Sequence, residues 1–189
     1  YLLFAFIVWL FGGKVLFPAP RPSTYELSSE YNKIRNKGES GIAYFRTGEL
    51  EKPEWTILYS HGNGEDLGMI RNIFKKWKKH PWEFVAYDYP GYGLSEGKPA
   101  ESSCFEAIDF VFQHIINNLG RPPGKIIAWG RSLGTGPSCY LASRQELGGL
   151  ILETPFLSAF RTLTEIPVLP WDYFENLVFA RNINLPSLI

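Results

Sequence analysis

Cysteine, histidine and net charge are what this 189-residue sequence has little of. Two cysteines, Cys104 and Cys139, make neither a disulfide framework nor a cysteine-rich metal site. Three histidines (His61, His80 and His114) leave little for a metal centre, and no cofactor is expected. Lysine and arginine number 19 against 19 acidic residues, so the strongly basic face of a nucleic-acid binder is lacking. Internal repeats are absent, and the one compositional break is a proline-rich stretch over residues 18–23. What remains is 45% hydrophobic and 16% aromatic, a composition that buries a core and excludes a disordered chain.

The chain opens on eleven apolar residues, Y-L-L-F-A-F-I-V-W-L-F. A bilayer span takes about 20, but a sequence starting at Tyr1 and stopping at Ile189 within an apolar run is expected to be a piece of a longer protein. The stretch that follows lacks the small-residue pattern of a signal-peptide cleavage site. Aromatic residues followed by Lys14 and Arg21 suit a membrane boundary. Residues 1–17 therefore read as part of a single N-terminal membrane anchor, with a buried helix as the competing reading. Residues 18–23 read as a linker and 24–189 as one domain.

Within that domain, short apolar runs (41–46, 56–60, 84–88, 126–130 and 150–153) alternate with helical stretches. Over 101–119, Phe105, Ile108, Phe112, Ile115 and Leu119 recur at helical spacing and predict one core-facing stripe. Continuous apolar strands between amphipathic helices predict an α/β fold, a mostly parallel sheet covered on both faces.

Three segments carry the chemistry. In I-I-A-W-G-R-S-L-G-T-G (126–136) an apolar strand runs through G-x-S-x-G into a helix. That context predicts a sharp turn exposing the Ser132 hydroxyl, with Gly130 and Gly134 supplying room and the Leu133 amide facing a developing oxyanion. In T-I-L-Y-S-H-G-N-G (56–64) a strand ends in His-Gly-Asn, where the Asn63 amide can complete an oxyanion hole and Gly62 permits close approach. His61 reads as ordering that loop rather than as a base. The third, V-A-Y-D-Y-P-G-Y-G-L-S-E-G (85–97), puts a glycine-rich turn on the same sheet edge, with Asp88 expected to pin its own turn.

S-H-G-N-G-E-D-L-G, Y-D-Y-P-G-Y-G-L-S-E-G-K-P, G-R-S-L-G-T-G-P and L-I-L-E-T-P-F-L-S-A in this order resemble the α/β-hydrolase superfamily. More narrowly, they are similar to its membrane-associated serine hydrolases, the ABHD group, which includes protein depalmitoylases. The entry K-V-L-F-P-A-P-R-P-S-T-Y is similar as well, so the resemblance runs over about residues 14–189. It implies Ser132 as nucleophile, the Asn63 and Leu133 amides as oxyanion hole, and an acyl-ester or acyl-thioester substrate, an S-acylated protein among the options. It also implies an acid and then a base after the serine. Every histidine here precedes Ser132, and N-L-P-S-L-I at 184–189 resembles the opening of the strand that carries the acid. The fold is thus expected to lack its C-terminal strands and helices, and this polypeptide alone is expected to be nearly inactive.

Other features read more plainly. Asp172, the one aspartate after Ser132, reads as a helix N-cap, and the basic run at 75–80 as a solvated helix end or a membrane-facing patch. Cys104 and Cys139 read as buried small hydrophobes. Aromatic residues from Phe156 to Phe179 suit an apolar ligand or plain packing. Two other functions compete: a non-catalytic binding or scaffold protein on the same fold, and a soluble hydrolase of small esters or peptides.

Overall fold

The structure, a computed structural model, describes residues 8, 12, 16–35, 41–47, 50–77 and 80–189. Its strands are β1 (Tyr31–Ile34), β2 (Ile42–Arg46), β3 (Trp55–Ser60), β4 (Trp82–Tyr87), β5 (Ile126–Arg131), β6 (Gly149–Glu153) and β7 (Ser187–Leu188). The helices are α1 (Leu67–Trp77), α2 (Glu101–Asn117), α3 (Thr135–Ala142) and α4 (Asn176–Ala180). The strands form one sheet in the order β1-β2-β4-β3-β5-β6-β7. β4, β3, β5, β6 and β7 are mutually parallel, while β1 and β2 run antiparallel at one side.

Both faces of the central strands are covered, which is why they read as unbroken apolar runs. One core joins Leu58, Val85 and Ala128 to Ile108, Val111 and Phe112 of α2 and Leu141 of α3. The other joins Ile57, Tyr59 and Phe84 to Leu67, Ile70 and Phe74 of α1. In α2 the buried positions are Cys104, Ala107, Ile108, Val111, Phe112 and Ile115. The expected stripe is therefore rotated: Phe105 sits at its margin, stacked on Tyr140 at 4.2 Å, and Leu119 falls beyond the helix. β1 had no apolar run to announce it; its register, Tyr31 opposite Phe45, comes from pairing with β2.

The parallel register brings Ser60 beside both Tyr87 and Gly130, so the loops after β3, β4 and β5 leave one edge together. Asp88, just past β4, is fully buried there. Its carboxylate accepts the Tyr25 hydroxyl proton and the Leu67 N–H at 3.1 Å, and lies 3.3 Å from His61 Nε2. The local turn pin expected of Asp88 is thus a junction of three remote segments. At the opposite edge Glu83, also fully buried, is held by Arg46 and by Arg121 Nε at 2.9 Å.

Residues 16–25, including the stretch read as a linker, lie against this domain. Phe17 is buried edge-on to Phe174, the Thr24 N–H donates to Asp66 at 2.7 Å, and Tyr25 reaches Asp88. Among the described residues no helix is long and apolar enough to cross a membrane. The opening apolar block, apart from Val8, lies outside the described residues.

Removing a buried carboxylate that three segments share leaves donors unpaired. Asp88→Ala should cost about 3 kcal/mol of stability, and Tyr25→Phe about 1, measured as shifts in the urea unfolding free energy. An Asp88→Ala loss below that of Tyr25→Phe would contradict the shared-junction account.

Candidate active site

After β5 the chain turns through one 3-10 turn, Ser132–Gly134, directly into α3. Ser132 takes φ +49°, a left-handed conformation that a residue with a side chain seldom adopts. The flanking glycines make this turn possible. A Cβ on Gly130 would lie 2.3 Å from the Gly134 carbonyl oxygen, and one on Gly134 would lie 2.0 Å from the Ser60 carbonyl oxygen. The elbow therefore packs backbone to backbone on the end of β3 and leaves no volume for a methyl group. Ser132 itself is exposed, Leu133 is buried behind it, and the Thr135 hydroxyl donates to the Ser132 carbonyl at 2.7 Å.

The loop after β3 is braced on every side. His61 is fully buried, with Nδ1 2.9 Å from the Gly62 carbonyl oxygen. Its Nε2 lies 3.3 Å from Asp88 Oδ1 without the alignment of a hydrogen bond. The His61 carbonyl accepts the Tyr89 hydroxyl at 2.7 Å. The Gly62 N–H is committed to Glu65 Oε2 at 2.8 Å, which makes Asn63 the next amide along the loop. The Asn63 side chain donates to the Leu16 carbonyl at 2.7 Å and accepts from the Tyr92 hydroxyl at 2.8 Å. Asn63 and Leu133 thus follow adjacent parallel strands and leave the sheet at one edge, where Ser132 is exposed. Such a constellation suits acyl transfer: an accessible hydroxyl and backbone donors from two loops.

Several partners escaped the sequence reading. Tyr92, Glu65, Arg131 and the Leu16 carbonyl all touch this loop. All four fall inside the quoted segments, yet none carried a cue to these contacts. Asp172 is not the cap of a following helix: it accepts from Ser158 Oγ at 2.6 Å and from the N–H of Phe160 at 2.8 Å, clasping two ends of one loop. Both cysteines are buried, and burial pushes the Cys139 thiol up to about 12, which removes it as a nucleophile. Lys75 and Lys76 lie in the exposed last turn of α1. Among the described residues no three His, Cys, Asp or Glu side chains gather to hold a metal ion.

Beyond β6 an excursion folds back on α3. Phe174 is fully buried, with a Cβ on Gly136 only 2.4 Å from its ring, and its N–H donates to Glu101. Asn176 bridges Thr135 Oγ1 and the Phe156 carbonyl at 3.0 Å each. A largely apolar groove of about 530 Å³ runs along this excursion between Leu157, Phe160, Val168, Trp171 and Leu177; Ser132 is not part of its wall. Phe174 and Phe179 serve the core and the Phe105–Tyr140 stack, so much of the aromatic content there is packing.

A serine on a strained strand-to-helix elbow at the edge of a mostly parallel sheet defines the class: an α/β hydrolase. Comparisons with known proteins agree. Residues 51–177 match the family described as "Serine aminopeptidase, S33". An α/β-hydrolase domain-containing protein, aho-3 of Caenorhabditis elegans, is 33% identical over 85% of this chain and 49% of its own length. Human α/β-hydrolase domain-containing protein 17C is 39% identical over 57% of this chain and 33% of its own. Among solved structures, an esterase from Pyrococcus furiosus superposes with a TM-score of 0.65 at 17% identity, covering 89% of this chain and 75% of that one. The chain belongs to the α/β-hydrolase superfamily, within its group of α/β-hydrolase domain-containing proteins. It spans between a third and a half of the length of these two curated relatives.

Burial raises the Glu101 carboxyl above its usual 4.5, the nearby Glu175 and Asp172 charges adding to the effect. A carboxyl with a raised folded-state pKa binds its proton more tightly folded than unfolded, so its penalty is absent at low pH and grows as pH rises from 4.5. Glu101→Gln keeps an acceptor for Phe174 and should lessen the stability lost between pH 4 and 7, as read by thermal unfolding midpoints (about 2–4 °C per kcal/mol at this size).

Proposed function

We propose that this chain is the nucleophile-bearing part of a serine hydrolase that cleaves a carboxylic ester or thioester through an acyl-enzyme. Ser132 Oγ attacks the acyl carbonyl carbon and gives its proton to a base. The Asn63 and Leu133 amides hold the oxyanion, and the alcohol or thiol leaves with that proton. Water then repeats the attack on the acyl-serine and releases the acid. The observation that carries this reading is Ser132 at φ +49° between two glycines that tolerate no side chain, a strain kept where the exposed hydroxyl is used.

On this fold the acid and base follow the nucleophile, and no histidine follows Ser132 in this chain. His61 is fully buried against Asp88 and is not offered as a substitute. The base is therefore assigned to sequence outside the 189 residues, and the 189-residue polypeptide to a nearly inactive state. We take the substrate as a long-chain acyl group, an S-acylated protein being one carrier, with residues 1–17 as a single membrane anchor. Support comes from the resemblance to the membrane-associated group and from the eleven apolar residues at the start. The family description favours a second reading, hydrolysis of peptide amides, which the same site chemistry serves.

A fluorophosphonate should label Ser132 in the full-length protein and not in Ser132→Ala, with p-nitrophenyl and thioester substrates turned over and aminoacyl amides not. Labelling that survives Ser132→Ala ends this assignment, and faster amide cleavage selects the peptide reading. The 189-residue polypeptide should react at least about 10³-fold more slowly, since serine without its base is a weak nucleophile. For the anchor, the chain should co-sediment with phosphatidylcholine vesicles and lose this when residues 1–11 are removed; equal binding by both forms would exclude it.

A further inference from the structure

Arg131 stands one residue before Ser132, and Glu65 three residues after Gly62; neither has a part in the reaction above. Arg131 Nη2 pairs with Glu65 Oε1, while the other oxygen of that carboxylate accepts the Gly62 N–H at 2.8 Å. One carboxylate thus ties the strand end that delivers Ser132 and Leu133 to the loop that delivers Asn63. That loop resists distortion poorly on its own, because Gly62 and Gly64 flank Asn63 and Gly64 already sits at φ +70°. A hole built from amides of two loops works only if both donors meet the same oxygen, and errors near 1 Å cost about 100-fold in rate.

We propose that Arg131 and Glu65 are positioning residues that hold the Asn63 amide in register with the Leu133 amide. The inference rests on the serine-hydrolase reading. Both side chains are partly exposed, at 25% and 27%, so the pair contributes little to folding and its loss falls on rate. The Gly62 amide has a further part: with its proton held by Glu65, it cannot turn its N–H toward the substrate oxygen in place of Asn63.

The test is the rate of fluorophosphonate labelling in the full-length protein, split into maximal rate and inhibitor affinity, with unfolding midpoints measured alongside. Glu65→Ala and Arg131→Ala should each lower the maximal labelling rate about 10- to 100-fold with affinity and midpoint near parental. Glu65→Gln, whose amide oxygen still accepts from Gly62 but whose nitrogen cannot accept from Arg131, should lose rate about as Arg131→Ala does, and the double alanine variant should be no slower than the worse single one. Parental rates in both single variants, or rate losses that track a falling midpoint, overturn the proposal while leaving Ser132 as nucleophile. A parent unlabelled at Ser132 removes the hydrolase reading itself, and this inference with it.

Discussion

A buried carboxylate is costly unless donors and charges reach it, and Asp88 draws its partners from distant parts of the chain. Tyr25 from the N-terminal strap, the first amide of α1 and the His61 ring all converge on it. Burial and the Asp88 charge both push the Tyr25 hydroxyl far above its ordinary range, so it stays a donor. A Cβ on Gly93 would lie 2.0 Å from the same carboxylate, so the glycine-rich turn after β4 closes over it as well. The loop with the candidate oxyanion amide is thus held by its neighbour strand's terminus, not by its own short-range bonds alone. Glu83 repeats the device at the start of β4, with two arginines beside the Thr56 hydroxyl.

On this frame the elbow is a steric fit. Gly130 and Gly134 remove side chains from the contact between β5, α3 and the end of β3, and Ser132 absorbs the resulting strain. Phe174 then seals α3 from the excursion side, against Gly136, and Phe17 covers Phe174. Each of the Gly130, Gly134 and Gly136 contacts excludes a methyl group, so the exposed serine sits on a closely packed base.

Much of this was legible in the sequence, for identifiable reasons. Strands β3 and β4 are buried on both faces, and they, β5 and β6 announce themselves as apolar runs; the G-x-S-x-G spacing follows from a turn with no room for Cβ atoms. The His-Gly-Asn loop was legible as a strand end with glycine. The reach of Asp88, the Glu65–Arg131 pair and the tie between Asn63 and Leu16 were not. Their partners stand 21 to 66 positions apart, and side-chain pairings over such separations leave no periodic trace. β1 escaped for a related reason: an edge strand of Tyr-Asn-Lys-Ile is defined by the partner it pairs with.

The strap over residues 16–25 has a consequence for how the molecule is made. Its residues leave the ribosome before the sheet does, yet Tyr25 waits 63 positions for Asp88, and Phe17 waits for Phe174 beyond β6. Contacts of such long reach close last. Phe17 and Tyr25 are therefore obliged to wait without the surface they will eventually rest on until the residues that form it have been made, and whatever meets them in that interval meets them undocked.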